Sequence, residues 1–129
     1  IIIFKGWKIC LRICYDLRFP VWSRNTQDYD LLIYVANWPK PRISAWDTLL
    51  KARAIENMSY VVGVNRCGED SKGNDYPGHS AIYDSLGNCI SGDLSSETKN
   101  ISAFINYQEL QAHRKKLRFL EDRDNFDLC

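Results

Sequence analysis

The sequence has no CxxC pair, no initiator methionine, no low-complexity tract, and no apolar run approaching the ~20 residues a membrane-crossing helix needs. Each absence excludes a class of protein. Structural zinc wants closely spaced ligand pairs, and a disulfide scaffold wants an even, dense set. Five cysteines at 10, 14, 67, 89 and 129 meet neither requirement. A reduced, cytoplasmic protein with no metal and no cofactor is the simpler expectation. Charge of one sign is lacking too, because 17 basic residues face 16 acidic ones. Nucleic-acid-binding domains usually carry a basic stripe, so no nucleic-acid partner is expected, and no membrane either. "IIIF" at the start is too short for a signal peptide and lacks its basic flank and cleavage site. What is present is an ordinary folded composition, 45% apolar and 26% charged, over 129 residues. That suits one compact unit or a piece of a larger one. Because Ile1 opens inside an apolar run, the expectation is a piece.

Periodicity divides the chain. "GWKICLRIC" (6–14) alternates Ile9, Leu11 and Ile13 with Lys8, Cys10 and Arg12, a strand pattern. "VWSRNTQ" offers a short helix after Pro20, and "DLLIYVAN" (30–37) reads as a strand covered on both faces. "SAWDTLLKARAIENM" (44–58) predicts a helix with Ser44 as N-cap and Asp47 near its positive end. "SYVVGVN" (59–65) is another buried strand. Strand, helix, strand, helix, strand predicts an α/β sheet with parallel neighbours. Beyond it, 67–78 reads as a polar surface loop, "HSAIYD" and "NCISGD" as a hairpin around "SLG", "KNISAFIN" as a last strand, and "YQELQAHRKKLRF" as an amphipathic helix. The tail "LEDRDNFDLC" needs docking to be ordered, and no internal repeat is expected.

Cys14 falls where the first strand stops, and Asn37-Trp38-Pro39 where the next one stops. In open α/β sheets ligands gather beyond the carboxyl ends of parallel strands. A thiol there serves as a nucleophile once deprotonated, with the backbone N–H of Tyr15 placed to hold an oxyanion. Buried free cysteine is also a common small core filler, and spacing alone leaves both readings open. Cys10, Cys67, Cys89 and Cys129 are expected to be structural.

The strings "ICYDLRFPVWSRN", "YDLLIYVANWP", "YVVGVNRCG", "GHSAIYDSLGN" and "FLEDRDNF" together resemble the nitrilase, or carbon–nitrogen hydrolase, superfamily. The likeness runs along essentially the whole chain, in order. The pairing of CYDLRFP with a following NWP looks most like the omega-amidase branch. The resemblance implies an αββα sandwich, of which residues 1–129 would be the C-terminal half, with the N-terminal half absent. It implies a Glu–Lys–Cys triad with Cys14 as nucleophile and the Tyr15 N–H as oxyanion donor. No glutamate precedes Cys14, and Lys5 and Lys8 do not match the family's lysine segment. The chain alone is therefore expected to be inactive.

The implied reaction hydrolyses a small linear amide, an omega-monoamide of a dicarboxylic acid, to acid and ammonia. Such a substrate carries a carboxylate, for which Arg42 is the candidate. Nitrile or carbamoyl substrates, or a non-catalytic assembly relative, are the alternatives, and a homo-oligomer is expected. Asn37 and Trp38 are candidate pocket residues, though a tryptophan is equally a core filler. The bland assignments go to Asp16 and Arg18 as hydrogen-bonding anchors of the turn, and to Glu56 as a partner of Arg53. His79 is expected to be structural, and His113 to lie on a solvated basic helix face.

Overall fold

The computed structural model of the chain describes residues 1–94 and 96–126; Cys129 lies outside the described residues. β1 (Ile2–Phe4) turns back through Lys5 and Gly6, at φ 48° and 84°, into β2 (Trp7–Ile13). Two consecutive left-handed residues are what a two-residue hairpin demands. β3 (Leu31–Ala36) and β4 (Tyr60–Asn65) follow, with the short helix α1 (Pro20–Ser23) before β3 and the long α2 (Ile43–Asn57) between them. With β7 (Ala81–Tyr83) at the far edge, the sheet order is β1-β2-β3-β4-β7. β2, β3 and β4 are parallel, as the alternation of strands and helices predicts. Their carboxyl ends stand side by side, Ile13 level with Val35, and Ala36 level with Asn65.

One face of this sheet is covered. Trp46, Leu50 and Ala54 recur along one side of α2 and bury against Leu32, Tyr34, Val61, Ala81 and Tyr83. Gly63 gives α2 its seat, because a Cβ there would meet Leu50 Cδ1 at 2.3 Å. Cys10 joins this layer, 4% exposed. Its neighbours Leu11 and Ile13 project to the other face with Val35 and Val64, all about half exposed or more. The apolar run over 30–37 is thus apolar on both faces, but among the described residues only one of them has a helical cover.

Three expectations are corrected. Ser44 is not the cap of α2; a 3₁₀ turn over Lys40–Arg42 runs straight into the helix, and Arg42 occupies the cap position without a side-chain bond. The segment 67–78 is a hairpin, β5 (Cys67–Glu69) paired with β6 (Asp75–Pro77). "KNISAFIN" forms no ladder among the described residues; its half-buried and exposed positions alternate, and Phe104 is fully exposed. Alternation reports extended backbone, and a hydrogen-bonded neighbour is a separate condition.

The expected turn around "SLG" is present, closed by a bridge between Tyr83 and Cys89. A short repeat also emerges: DSKGN (70–74) and DSLGN (84–88) make the same closure. In each, the aspartate carboxylate accepts from the backbone N–H groups two and four residues on and from the asparagine side chain, at 2.8–2.9 Å.

α3 (Tyr107–Leu117) is docked more firmly than a solvated helix would be. Arg114 donates to Asp30 Oδ1 at 2.9 Å and to the Tyr29 and Met58 carbonyls, and His113 Nδ1 lies 3.0 Å from Ser85 Oγ. Both residues were expected in water. Arg123 then ties the tail to Asp28 at 2.8 Å.

Candidate active site

At Ile13 the backbone leaves β2 directly into a 3₁₀ turn, Cys14–Arg18. Cys14 sits at φ +41°, the left-handed region, which costs a residue bearing a Cβ roughly 1–2 kcal/mol. Such a conformation persists only where its surroundings enforce it. Asp16 does part of this, its Oδ2 accepting the Ile13 N–H at 2.9 Å, and the Phe19 N–H closes onto the Asp16 carbonyl at 3.0 Å. Leu17 is fully buried in the core beneath, and its carbonyl accepts from Arg53 Nη2 of α2 at 2.7 Å. A sharp strand-to-turn transition lifts a side chain clear of the sheet edge, the geometry used to present nucleophiles.

The neighbouring strand end supplies the opposite wall. Trp38 is 3% exposed, and its position is set from β4. The buried Asn65 accepts the Trp38 N–H at 2.6 Å and donates to the carbonyls of Trp38 and Gly78 at 3.0 and 2.8 Å. The indole N–H donates to the Arg42 carbonyl at 2.7 Å, and the Arg18 guanidinium lies 4.9 Å from the indole ring centroid. A cavity of about 470 Å³ opens here, lined by Cys14, Tyr15, Arg18, Asn37, Trp38, Pro39 and Arg42. A second hollow continues from Cys14 and Asn37 across Val35 and Val64 to Arg66, on the uncovered face.

All five residues proposed from the sequence therefore border one cavity: Cys14, Tyr15, Asn37, Trp38 and Arg42. The Tyr15 ring turns outward against Phe19, at 5.1 Å between centroids, so any share it has in chemistry is through its backbone. Arg18 differs from expectation. It makes no side-chain hydrogen bond among the described residues and stacks on Trp38 as part of the cavity wall. Asp16 anchors the turn as expected.

Glu56 pairs with Arg53 at 3.1 Å, away from the cavity. Neither histidine lines the cavity, and His79 Nδ1 lies 3.1 Å from both Asp47 carboxylate oxygens. No carboxylate and no lysine line it either. Sequence reading missed two residues that hold the site from outside, Asn65 and Arg53. Both lie inside regular elements and look like ordinary strand and helix residues. Their only signal is a polar group where the pattern calls for an apolar one.

A thiol raised at the carboxyl edge of a parallel sheet, beside a half-buried cavity with two guanidiniums, is an arrangement chemically suited to a cysteine nucleophile. The carbon-nitrogen hydrolase family model matches residues 2–115, and the chain belongs to that family. It is 49% identical over 123 residues to omega-amidase YafV of Yersinia enterocolitica, covering 95% of this chain and 48% of that protein. It is 38% identical over 112 residues to 2-oxoglutaramate amidase of Bacillus subtilis, covering 85% of this chain and 42% of that one. Among solved structures, XC1258 from Xanthomonas campestris, a CN-hydrolase superfamily protein with an arsenic adduct in its active site, superposes with a TM-score of 0.92. It is 41% identical, over 99% of this chain and 51% of that one. The chain spans about half the length of the curated relatives it matches.

Proposed function

We propose that Cys14 is the nucleophile of an amidase that hydrolyses an omega-monoamide of a short dicarboxylic acid to the acid and ammonia. The observation that carries this is the placement of Cys14 on a left-handed turn facing the cavity of Arg18, Asn37, Trp38 and Arg42. The thiolate attacks the amide carbon and the carbonyl π pair moves to oxygen. The Tyr15 N–H donates to that oxyanion. Collapse expels the nitrogen, which must gain a proton to leave as ammonia, and a thioester remains. Water adds to the thioester, and the carbon–sulfur bond breaks to give the acid and free thiol.

The nitrogen's proton and the activated water require a base-acid, and the oxyanion gains from a cation. The cavity lining offers no carboxylate or lysine, so we assign both groups to polypeptide beyond these residues, as the family resemblance implies. In the same reading, residues 1–129 form one half of a sandwich whose second sheet covers the face of Leu11, Ile13, Val35 and Val64. The working protein is a cytoplasmic homo-oligomer. Among the described residues, no helix is long and apolar enough to cross a membrane.

The far carboxylate of the substrate meets Arg42 and Arg18. Neither guanidinium donates a hydrogen bond among the described residues, so each keeps its donors for a ligand. A substrate panel tests this on the intact protein, with 2-oxoglutaramate and succinamate set against butyramide and butyronitrile. The two carboxylate-bearing amides are expected to turn over at least tenfold faster in kcat/KM. Faster turnover of the neutral amide or the nitrile removes the omega-amidase assignment.

A further inference from the structure

Arg53 is a charged side chain where α2 should have an apolar one. It is 3% exposed, and its Nε has no partner among the described residues. Its Glu56 partner is one-third exposed, so the pair is not a sealed ion pair whose only result is neutrality. The remaining contact is the informative one. Nη2 reaches out of the helix to the carbonyl of Leu17, the fourth residue of the turn that begins with Cys14.

That carbonyl has little other recourse. Leu17 is fully buried, so water does not reach its side of the turn. The 3₁₀ pattern would satisfy it with the N–H three residues on, but residue 20 is proline and has none. Phe19 has already become extended, at φ −111° and ψ 95°. An orphan buried carbonyl is costly, and a turn free to relieve that cost would rotate its peptide planes. The plane that matters most for chemistry joins Cys14 to Tyr15, where the oxyanion donor lies and where φ is already strained.

We propose that Arg53 is a positioning residue for the nucleophile turn. By supplying the donor that Pro20 withholds, it fixes the turn from below while Asp16 fixes it from above. This rests on the amidase reading, in which Cys14 and the Tyr15 N–H act on the substrate.

The test uses the intact protein with 2-oxoglutaramate, comparing Arg53→Met, Arg53→Lys and a core control, Val61→Ala. Arg53→Met keeps the length and removes every donor. Displacing one oxyanion donor typically costs about 100–1,000-fold in rate, so kcat is expected to fall by at least tenfold with KM within threefold. Arg53→Lys keeps one donor and the charge, and is expected to recover part of the loss. Val61→Ala is expected to lower the unfolding midpoint without changing kcat per folded molecule.

If Arg53→Met does not fold, Arg53→Lys carries the test alone, with a reduced kcat at unchanged KM in fully folded protein. Wild-type kcat in folded Arg53→Met overturns the proposal, as does wild-type kcat in Arg53→Lys where the methionine variant does not fold, and so does a loss that tracks only the unfolded fraction as in Val61→Ala. Full activity in Cys14→Ala would overturn the amidase reading itself. An inactive Cys14→Ala beside a fully active Arg53→Met would overturn only the assignment of Arg53.

Discussion

Cys10 and Cys14 share a strand and its exit, yet their surroundings separate them. Cys10 faces the α2 layer, and burial pushes its thiol above the ordinary value, with nearby Arg12 only partly offsetting this. A thiol held neutral and 4% exposed is a poor nucleophile. Cys14 has a cavity in front of it and a strained backbone behind. In the intact protein, Cys14→Ala is expected to abolish amide hydrolysis. Cys10→Ala should retain activity within about threefold, at a cost of about 1 kcal/mol for the small void. Steady-state rates and urea midpoints on the two variants check both statements. Loss of activity in Cys10→Ala at full stability would reverse the assignment.

Much of the cavity lining was legible at the residue scale, because a residue at a strand end needs only a strand boundary and a family pattern to be singled out. Arg18 was legible as a residue and misjudged as a contact. A guanidinium in a turn looks like a hydrogen-bonding anchor until the Trp38 ring is known to lie 4.9 Å from it. Arg53 and Asn65 were not legible as site residues at all, since each acts on a carbonyl or N–H brought near by the fold.

Among the elements, α2 and β4 meet most closely at Gly63, which lets the helix approach the strand. A methyl at that position would lie 2.3 Å from Leu50 Cδ1 and 2.8 Å from Trp46 Cζ2. Gly63→Ala is therefore expected to destabilise by about 1–3 kcal/mol, read as a lowered urea midpoint at unchanged slope. An unchanged midpoint would mean that the helix shifts at no cost. The sequence pattern placed β2, β3, β4 and α2 within a residue or so of where they lie, because each has a clear period. It missed the hairpin of β5 and β6, whose strands are short and polar and whose signal is the pentapeptide DSKGN repeated later as DSLGN. It overreached at "KNISAFIN", where the alternation is real and, among the described residues, no strand pairs with it.

Over the whole molecule, the covered layer and the open one differ in kind. The first is built from Trp46, Leu50, Leu32 and Tyr34, all fully buried, and the second from aliphatic side chains left half in water. An exposed apolar face of this sort marks an interaction surface, and the proposed second layer would fill it. The 129-residue chain by itself is expected to show no detectable hydrolysis of 2-oxoglutaramate. Activity should return when polypeptide carrying the family's glutamate and lysine is supplied, in one chain or in two. Turnover by the isolated chain at the rate of the intact protein would refute the division of the site between two halves.

The uncovered face also bears on how the chain behaves in solution. β2, β3 and β4 pack onto α2 through contacts internal to this segment, whereas Leu11, Ile13, Val35 and Val64 present aliphatic surface to water. Left bare, such a ledge is expected to drive self-association of the 129-residue chain as its concentration rises, read by light scattering.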